Sequence, residues 1–184
     1  MITVTLAKDK KDLEGIKQLQ QNNLSKKLSK EEAMREGFLS AEYSTEFLKI
    51  MHDASPSVIA KDGEEVVGYA LVAVQSVRQH HELLADLFNS IDTKLYKGLA
   101  LKNSNYVVVG QLCVAKAYRG QGLVQKMYEY FKDCLSIQYD YCITDVASDN
   151  PRSLKAHLKT GFTVIDSLNY GGISWNIVLW DWKD

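Results

Sequence analysis

The feature that most constrains the fold is a long apolar segment that runs into a glycine-containing turn and then into a helical pattern. Residues 106–114 are Tyr, Val, Leu and Cys apart from Gly110 and Gln111, which predicts a strand. A glycine inside such a strand indicates a bulge or the close approach of another backbone. Between residues 120 and 137 the apolar side chains recur at helical spacing, so a helix follows the turn.

The turn between this strand and this helix contains Gly120 and Gly122 directly after Arg119. The first amides of a helix have no partners within the helix and lie at the positive end of its dipole. Because glycines allow a phosphate to approach these amides, and Arg119 adds positive charge, the turn is a candidate phosphate site. The alternative is that the two glycines only permit a tight turn. Neither a P-loop nor a complete G-x-G-x-x-G pattern is present.

Length and charge exclude several classes of protein. The 184 residues can bury a full core but are too few for two ordinary domains, so we expect one domain over residues 1–184. Lys and Arg number 22 and Asp and Glu 23, which leaves no basic excess for a nucleic-acid partner. With 46% hydrophobic and 24% charged residues, the composition is that of a globular chain.

The cysteines and the first residues indicate a compartment. Cys113, Cys134 and Cys142 cannot all pair with one another, and their spacing matches no common zinc pattern. The N-terminal segment lacks the apolar stretch of a secretory signal, and no uncharged apolar run approaches the ~20 residues of a membrane span. We therefore expect a cytoplasmic protein with no bound metal and no membrane partner.

The remaining pattern predicts the order β-α-α-β-β-insert-β-α-β-α-β-β, with an ambiguous insert at residues 77–104. Strands are expected at residues 2–7, 57–60, 65–76, 106–114, 139–146, 162–167 and 173–182. Helices are expected at residues 12–24, 31–38, 44–52, 81–91, 120–137 and 151–160. Residues 97–104 and 168–172 are expected to be loops. The last helix is predicted to begin after Asn150 as N-cap, with Pro151 in its first turn, and to end before Gly161.

Two segments of the chain together resemble the GNAT superfamily of acyl-CoA-dependent N-acyltransferases. The family's first signature is a Leu-x-Val strand, a short loop, and Arg/Gln-x-x-Gly-x-Gly/Ala at the start of a helix; here it corresponds to residues 112–114 and 119–124. The second is a strand, an Asn, a small residue three positions later and a helix that closes at Gly-Phe. Asn150, Ser153, Gly161 and Phe162 match it. The resemblance covers residues 56–166.

The resemblance implies an α/β fold: one GNAT domain whose central mixed, mostly antiparallel, twisted sheet of about seven strands is flanked by helices on both faces. It implies acetyl-CoA as co-substrate. The implied cofactor-binding residues are Leu112, Cys113, Val114, Arg119, Gly120, Gln121, Gly122, Leu123, Val124, Gln125, Asn150 and Ser153. The chain departs from the pattern at Val124, where the family has a small residue, and at Lys116, where many members have Pro.

Two residues are candidates for acid–base catalysis. Asp145 aligns with a strand position at which some members of the family carry a catalytic carboxylate; its alternative role is a cap or a salt bridge. His157 occupies the helix position where many members carry a tyrosine that protonates the leaving thiolate. An imidazole with an ordinary pKa of ~6.5 can serve as acid or base, or can be a helix histidine without a role. For Cys113 we favour a buried strand residue over a covalent nucleophile. The resemblance implies that the amine attacks directly, without a covalent intermediate.

The expected function is acetyl transfer from acetyl-CoA to a primary amine of a small molecule or protein, with a small molecule or peptide as the acceptor partner. The resemblance places the acceptor groove between residues 24–46 and 168–173. Acidic residues in the first region could attract a cationic amine or form a solvated helix face; they are Glu32, Glu36, Glu42 and Glu46. The insert could border the acceptor or form a homodimer contact, and Trp180 and Trp182 could belong to an interface.

Two alternative functions remain open. The fold could retain acyl-CoA without turnover, as a non-catalytic acyl-CoA-binding module, because the tyrosine of the family is missing. The glycine turn could also serve a nucleotide-binding domain.

Overall fold

The computed structural model describes residues 1–24, 39, 41–170 and 172–183. The strands are β1 (Ile2–Leu6), β2 (Val58–Asp62), β3 (Glu65–Ala73), β4 (Leu95–Tyr96), β5 (Leu99–Ala100), β6 (Tyr106–Val114), β7 (Tyr141–Ala147), β8 (Thr163–Tyr170) and β9 (Ile173–Asp181). The α-helices are α1 (Lys10–Asn22), α2 (Thr45–Ala54), α3 (Glu82–Asp92), α4 (Leu123–Leu135) and α5 (Pro151–Thr160). Short 3₁₀ helices occupy Gln75–His80, Leu101–Asn103 and Lys116–Tyr118.

Seven strands form one mixed sheet in the order β1-β2-β3-β6-β7-β9-β8. All neighbouring pairs are antiparallel except β6 and β7, which are parallel. Parallel neighbours require a crossover connection, and α4 provides it. This arrangement confirms the predicted fold class, a mostly antiparallel seven-stranded sheet with helices.

Two apolar layers cover the two faces of the sheet. The first layer joins the sheet to α1, α2 and α3 through side chains such as Ile16, Met51 and Phe88. The second layer joins it to α4 through side chains such as Met127 and Phe131. Neighbouring residues of one strand enter different layers because side chains alternate between the faces of a strand. The helices therefore flank the sheet on both faces, as the sequence predicts.

The helix α5 has the predicted bounds because its ends carry strong local signals. The Asn150 side chain accepts a hydrogen bond from the Ser153 N–H at 3.3 Å and caps the first turn, and Pro151 occupies that turn. Gly161 ends the helix with a φ of 126°, a conformation that side chains rarely adopt. Strand β6 also has the predicted bounds.

The structure differs from the prediction mainly in the connections. Residues 97–104 are not a plain loop, since β4 and β5 form a hairpin whose turn, Lys97-Gly98, has φ values of 48° and 80°. A lysine is rare at such a position, so the sequence carries no turn signal there. Strand β3 ends at Ala73 before a 3₁₀ helix, and β8 extends to Tyr170. The helix expected at residues 31–38 lies outside the described residues.

We expect Gly161→Ala to lower the free energy of unfolding by about 3 kcal/mol in chemical denaturation. An added Cβ would lie 2.8 Å from the Trp180 Nε1. The Trp180 ring cannot retreat easily because it packs against Tyr128 and Phe162. Gly63→Ala is the comparison, because Gly63 has a milder positive φ (59°) and open space around it, so its loss should be much smaller. Equal losses in the two variants would contradict the assigned clash.

Candidate active site

The site is built around a fork between the parallel strands β6 and β7. The strands pair only at Tyr106–Tyr141, Val107–Cys142 and Val108–Ile143, although both continue well beyond these pairs. Past this point the two strands diverge, and we call the divergence the fork. Main-chain groups on its inner edges are no longer used by the ladder, so they can face a ligand.

A bulge lies where the fork begins. In the pairing of β6 with β3, Leu71 faces Gln111 and Val72 faces Val109, which leaves Gly110 as the extra residue. A Cβ at Gly110 would also lie 3.1 Å from the Met51 Cε. The predicted bulge is therefore confirmed, and the close contact at this glycine is with a side chain rather than with another backbone.

A cavity of about 700 Å³ opens into the fork. Gly110, Gln111 and Leu112 line it from the β6 side, and Thr144 and Asp145 line it from the β7 side. The other walls come from α3, α5 and the β8–β9 hairpin. The volume is that of a small-molecule site.

The β6 side of the fork presents main-chain groups to this space. The Ala115 N–H donates to the Val67 carbonyl at 2.8 Å, so it faces β3. Because the direction of main-chain groups alternates along a strand, Leu112 and Val114 present theirs to the open side. A second cavity of about 80 Å³ is lined by Leu112, Cys113 and Val114 and shares Leu112 with the larger one. The predicted cofactor-binding residues of β6 therefore border a groove.

The glycine turn comes directly after Arg119, which lines the smaller cavity. Gly120 and Gly122 have φ values of 77° and 75°, in the left-handed region that favours glycine. The first intrahelical bond of α4 runs from the Lys126 N–H to the Gly122 carbonyl at 3.1 Å. The three preceding amides, of Leu123, Val124 and Gln125, thus lack partners within the helix. An added Cβ at either glycine would meet no atom within 4 Å, so the turn borders open space.

Two side chains of the candidate phosphate site contact other parts of the protein. The Gln121 Nε2 donates to the Ala117 carbonyl at 3.1 Å, and Val124 is half-buried against the second layer. The contribution of these positions to an anion is therefore their main-chain amide.

Arg119 links the end of β6 to the end of α1. Its Nε donates to the Val114 carbonyl at 3.0 Å, and its Nη2 donates to the Asn23 Oδ1 at 2.6 Å. Asn23 is held in turn, because its Nδ2 donates to the Leu19 carbonyl at 2.9 Å. Arg119 and Asn23 both line the smaller cavity. Sequence reasoning missed Asn23, whose contact with Arg119 spans 96 residues.

Asn150 and Ser153 border the same groove from α5. Both line the larger and the smaller cavity, and Asn150 is buried. The structure therefore brings Leu112, Cys113, Val114, Arg119, Asn150 and Ser153 around one space, next to the glycine turn.

Asp145 is half-buried in the wall of the large cavity. Burial raises the pKa of its carboxyl group to about 6. Its charge, added to burial, also raises the pKa of Tyr43, which lines the same cavity. Within the described part of the chain Asp145 forms no ion pair, so the salt-bridge alternative finds no support there.

His157 is buried against aromatic rings at the cavity wall. Its Nδ1 lies 2.8 Å from the Ser153 carbonyl, which only accepts, so Nδ1 carries the proton. Its Nε2 therefore accepts from the Tyr128 hydroxyl at 2.7 Å. Burial lowers the pKa of His157 to about 4, and the imidazole is neutral at pH 7. Both ring nitrogens are thus occupied by protein groups.

Cys113 is buried, and its burial raises the pKa of the thiol to about 12. A thiol with so high a pKa supplies little thiolate, the nucleophilic form. Burial also raises the pKa values of Cys134 and Cys142, and all three thiols are free. Within the described ranges, no cluster of three His, Cys, Asp or Glu side chains has the arrangement of a metal site.

The far end of the cavity is bordered by the insert. Helix α3 contributes Leu83, Asp86 and Leu87 to the wall, and the β8–β9 hairpin contributes Tyr170 and Trp175. The charge of Asp86 is close enough to raise the pKa of Tyr170, after the larger effect of desolvation. This end is therefore apolar with an acidic side chain.

Of the two interpretations of the acidic residues, a solvated face rather than an acidic groove fits those that the structure describes. Glu42 pairs with the Lys17 Nζ at 3.2 Å, and Glu46 is exposed on α2; neither lines the cavity. Glu32 and Glu36 lie outside the described residues.

Trp180 and Trp182 are half-buried and pack against the rest of the molecule. Both rings join the second layer, at 5.8 Å from each other. The Lys132 Nζ lies 5.3 Å from the centre of the Trp180 ring. A role of these residues in a dimer stays a prediction.

A mixed seven-stranded sheet with a fork, a groove and a glycine turn defines an acyltransferase fold. The model of the acetyltransferase (GNAT) family matches residues 24–162, and the chain belongs to that family. It is therefore an acyltransferase. No curated protein shows significant sequence similarity to the chain.

Solved structures show the same fold at low sequence identity. A GNAT-family acetyltransferase from Streptococcus agalactiae is 14% identical with a TM-score of 0.68, covering 98% of this chain and 95% of the other. The acetyltransferase yncA from Salmonella typhimurium, solved with acetyl-CoA, is 17% identical with a TM-score of 0.62, covering 98% and 93%. The ribosomal-protein-S18-alanine N-acetyltransferase from Escherichia coli is 14% identical with a TM-score of 0.65, covering 98% and 94%.

In the described residues no helix has the length and apolar character to cross a membrane.

Proposed function

We propose that the protein transfers an acetyl group from acetyl-CoA to a primary amine of a small molecule or peptide, by direct attack of the amine. One observation carries the proposal: the inner edge of β6 lines a cavity that also contains a carboxyl group of raised pKa, and a turn with unpaired helical amides and open surroundings follows β6 in the chain. This order matches a donor with a diphosphate at one end and a reactive thioester at the other.

The donor half of the groove fits acetyl-CoA. The amides of Leu123, Val124 and Gln125 would bind the diphosphate, because they lack helical partners and border open space. The main-chain groups of Leu112 and the N–H of Val114 would pair with the pantetheine arm, whereas the Val114 carbonyl already accepts from the Arg119 Nε. Acetyl-CoA supplies an activated acyl group. The chain's task is to orient that group and to exclude water from it.

Asp145 is our candidate for the general base. With a pKa of about 6 it is largely ionised at neutral pH, yet it is basic enough to accept a proton from an ammonium group. A lysine-like amine has a pKa of ~10.4 and must lose a proton before it can attack. Asp145 lines the cavity between the fork and the acceptor end, where such an amine would enter.

For His157 the contacts favour a positioning role. Its one proton is donated to the Ser153 carbonyl, and its Nε2 accepts from Tyr128, so it has no proton to give to a departing thiolate. The leaving group is a thiolate, and an ordinary thiol has a pKa of ~8.5. We propose that the sulfur takes its proton from the attacking amine nitrogen, directly or through water. The sequence prediction of His157 as a catalytic residue stays a prediction.

Direct attack is supported by Cys113, whose buried thiol is a poor nucleophile. The free cysteines also support a reducing compartment such as the cytoplasm.

The acceptor half suits an amine attached to an apolar body. Its walls include Leu83, Leu87 and Trp175, with Asp86 as an added negative charge. Lys94 also lines this cavity, but its Nζ pairs with the Asp166 carboxylate at 3.0 Å, so its charge is offset. Amines and peptide N-termini with apolar neighbours are therefore the acceptors to test first.

The test is a steady-state thiol-release assay with acetyl-CoA across a panel of primary amines and short peptides. We expect release that depends on the acceptor. Tight binding of acetyl-CoA without release for any acceptor would favour the non-catalytic binding module. Calorimetry with acetyl-CoA and with ATP separates the remaining alternative, because preferential ATP binding would indicate a nucleotide-binding domain.

A further inference from the structure

We propose that the hydroxyl groups of Tyr43 and Thr144 hold the fork open at the width that the acetyl thioester needs. The inference rests on the proposed function. The Thr144 Oγ1 donates to the Val109 carbonyl at 2.8 Å, and the Tyr43 hydroxyl donates to the Gly110 carbonyl at 3.1 Å. Tyr43, Gly110 and Thr144 all line the cavity.

These two carbonyls are the first on β6 beyond its ladder with β7. The last paired residues are Val108 and Ile143, so no N–H of β7 continues the ladder to Val109 or Gly110. Val109 is buried, and an unpaired buried carbonyl is unfavourable. Without another donor for these carbonyls, additional hydrogen bonds between β6 and β7 would stabilise a longer ladder and a narrower fork. The two hydroxyls satisfy the carbonyls without drawing β7 toward β6.

Helix α1 fixes the position of Tyr43. The Tyr43 N–H donates to the Gln20 Oε1 at 3.0 Å, and the Lys17 Nζ donates to the Tyr43 carbonyl at 2.7 Å. Both the backbone amide and the backbone carbonyl of Tyr43 are therefore held. The phenol reaches the bulge from a rigid support.

The residue after the bulge belongs to the same network. The Gln111 Oε1 accepts from the Gln20 Nε2 at 2.9 Å and from the Tyr69 hydroxyl at 2.7 Å. The Gln111 Nε2 donates to the Ala41 carbonyl at 2.8 Å. Gln20 and Tyr69 are fully buried, so these hydrogen bonds are shielded from water. The β6 side of the fork is thus fixed by the protein before a ligand enters.

Tyr43 and Thr144 are positioning residues, since they act through the carbonyls that they hold. Loss of either hydroxyl should weaken binding of the acetyl group, which would enter the fork. It should not change binding of the diphosphate, which would lie at the glycine turn. The affinities for acetyl-CoA and for CoA therefore separate a positioning role from a general loss of structure.

The experiment is calorimetric titration of Thr144→Val and Tyr43→Phe with acetyl-CoA and with CoA. Each substitution keeps the size of the side chain and removes one hydroxyl. We expect about tenfold weaker binding of acetyl-CoA, with CoA affinity within about threefold of the original protein. In thiol release, kcat should fall by about 100-fold, since small misplacements have effects of that size.

Two controls accompany these variants. Thr144→Ser keeps a hydroxyl and should restore most of the acetyl-CoA affinity. Tyr106→Phe removes another tyrosine hydroxyl from β6, one that donates to the Asp92 Oδ1 at 2.7 Å outside the cavity, and should change neither affinity.

Several outcomes would overturn the proposal. It fails if both hydroxyl-free variants keep the original ratio of acetyl-CoA to CoA affinity, or if Thr144→Ser behaves like Thr144→Val. It also fails if the two affinities fall together, which indicates only a structural role. If the unsubstituted protein binds neither compound, the proposed function itself is wrong, and that result is distinguishable from the others.

Discussion

Gly122→Asp is expected to weaken CoA binding by about 100-fold in calorimetry at low salt. The new carboxylate would stand at the N-cap of α4, beside the amides that we assign to the diphosphate. Like charges a few ångströms apart at a partly exposed site repel by several kcal/mol, roughly 4 at an effective dielectric constant of 20. The carboxylate would also accept hydrogen bonds from the free amides and so compete with the ligand.

Gly122→Asn is the matched control for this variant. Asparagine has the same size as aspartate, and both tolerate the left-handed φ of 75° better than other side chains. Because the two substitutions share any backbone strain, the difference between them reports the charge. We expect the Asn variant to lose less than about tenfold in affinity. Equal affinities for CoA in the Asp variant and the original protein would contradict the assigned diphosphate site.

Local signals account for the parts of the fold that the sequence predicts correctly. The bounds of α5 follow from Asn150, Pro151 and Gly161, each of which acts on its own neighbours. The bulge at Gly110 is predictable because a glycine weakens an apolar strand and is typical of a bulge or of a close backbone approach. The glycine turn at Gly120 and Gly122 is equally local, and it forms where the pattern places it.

The rest of the site depends on contacts between distant parts of the chain. Tyr43 reaches Gly110 across 67 residues, and nothing in its own segment indicates a role at the fork. The burial of His157 comes from Tyr128, which lies on α4, and from Phe162, which directly precedes β8. A lone histidine on a short helix carries no signal of that packing. The pairing of Glu42 with Lys17, which removes this acidic residue from the groove, is equally invisible in the local sequence.

The Asp145 side chain gives the second large effect, because its raised pKa connects activity to stability. Asp145→Asn should lower kcat for acetyl transfer by about 100-fold, the usual contribution of a general base. The original protein should lose activity about tenfold per pH unit below the pKa of about 6, as the carboxylate is protonated. The residual activity of Asp145→Asn should not fall in this way below pH 6, and its affinity for CoA should stay near the original value.

The same substitution should make the folded protein more stable at pH 8. A pKa raised from 3.8 to about 6 means that the folded state binds the proton more tightly than the unfolded chain. The destabilisation is therefore absent below about pH 4, grows as the pH rises to 6, and is complete above that. At 1.36 kcal/mol per pH unit it amounts to about 3 kcal/mol, of which the neutral amide should recover about 2.

Denaturation of both proteins at pH 4 and pH 8, beside the pH profile of turnover, tests these expectations together. Asn should exceed Asp in stability at pH 8, and the difference should disappear at pH 4. A lower kcat combined with lower stability at pH 8 would mean that the carboxylate is a structural anchor, and the base would have to be sought elsewhere in the cavity. A gain in stability with unchanged kcat would confirm the desolvated carboxylate and remove it from the mechanism. Only a lower kcat together with a higher free energy of unfolding would show that the Asp145 carboxylate serves catalysis and destabilises the folded protein.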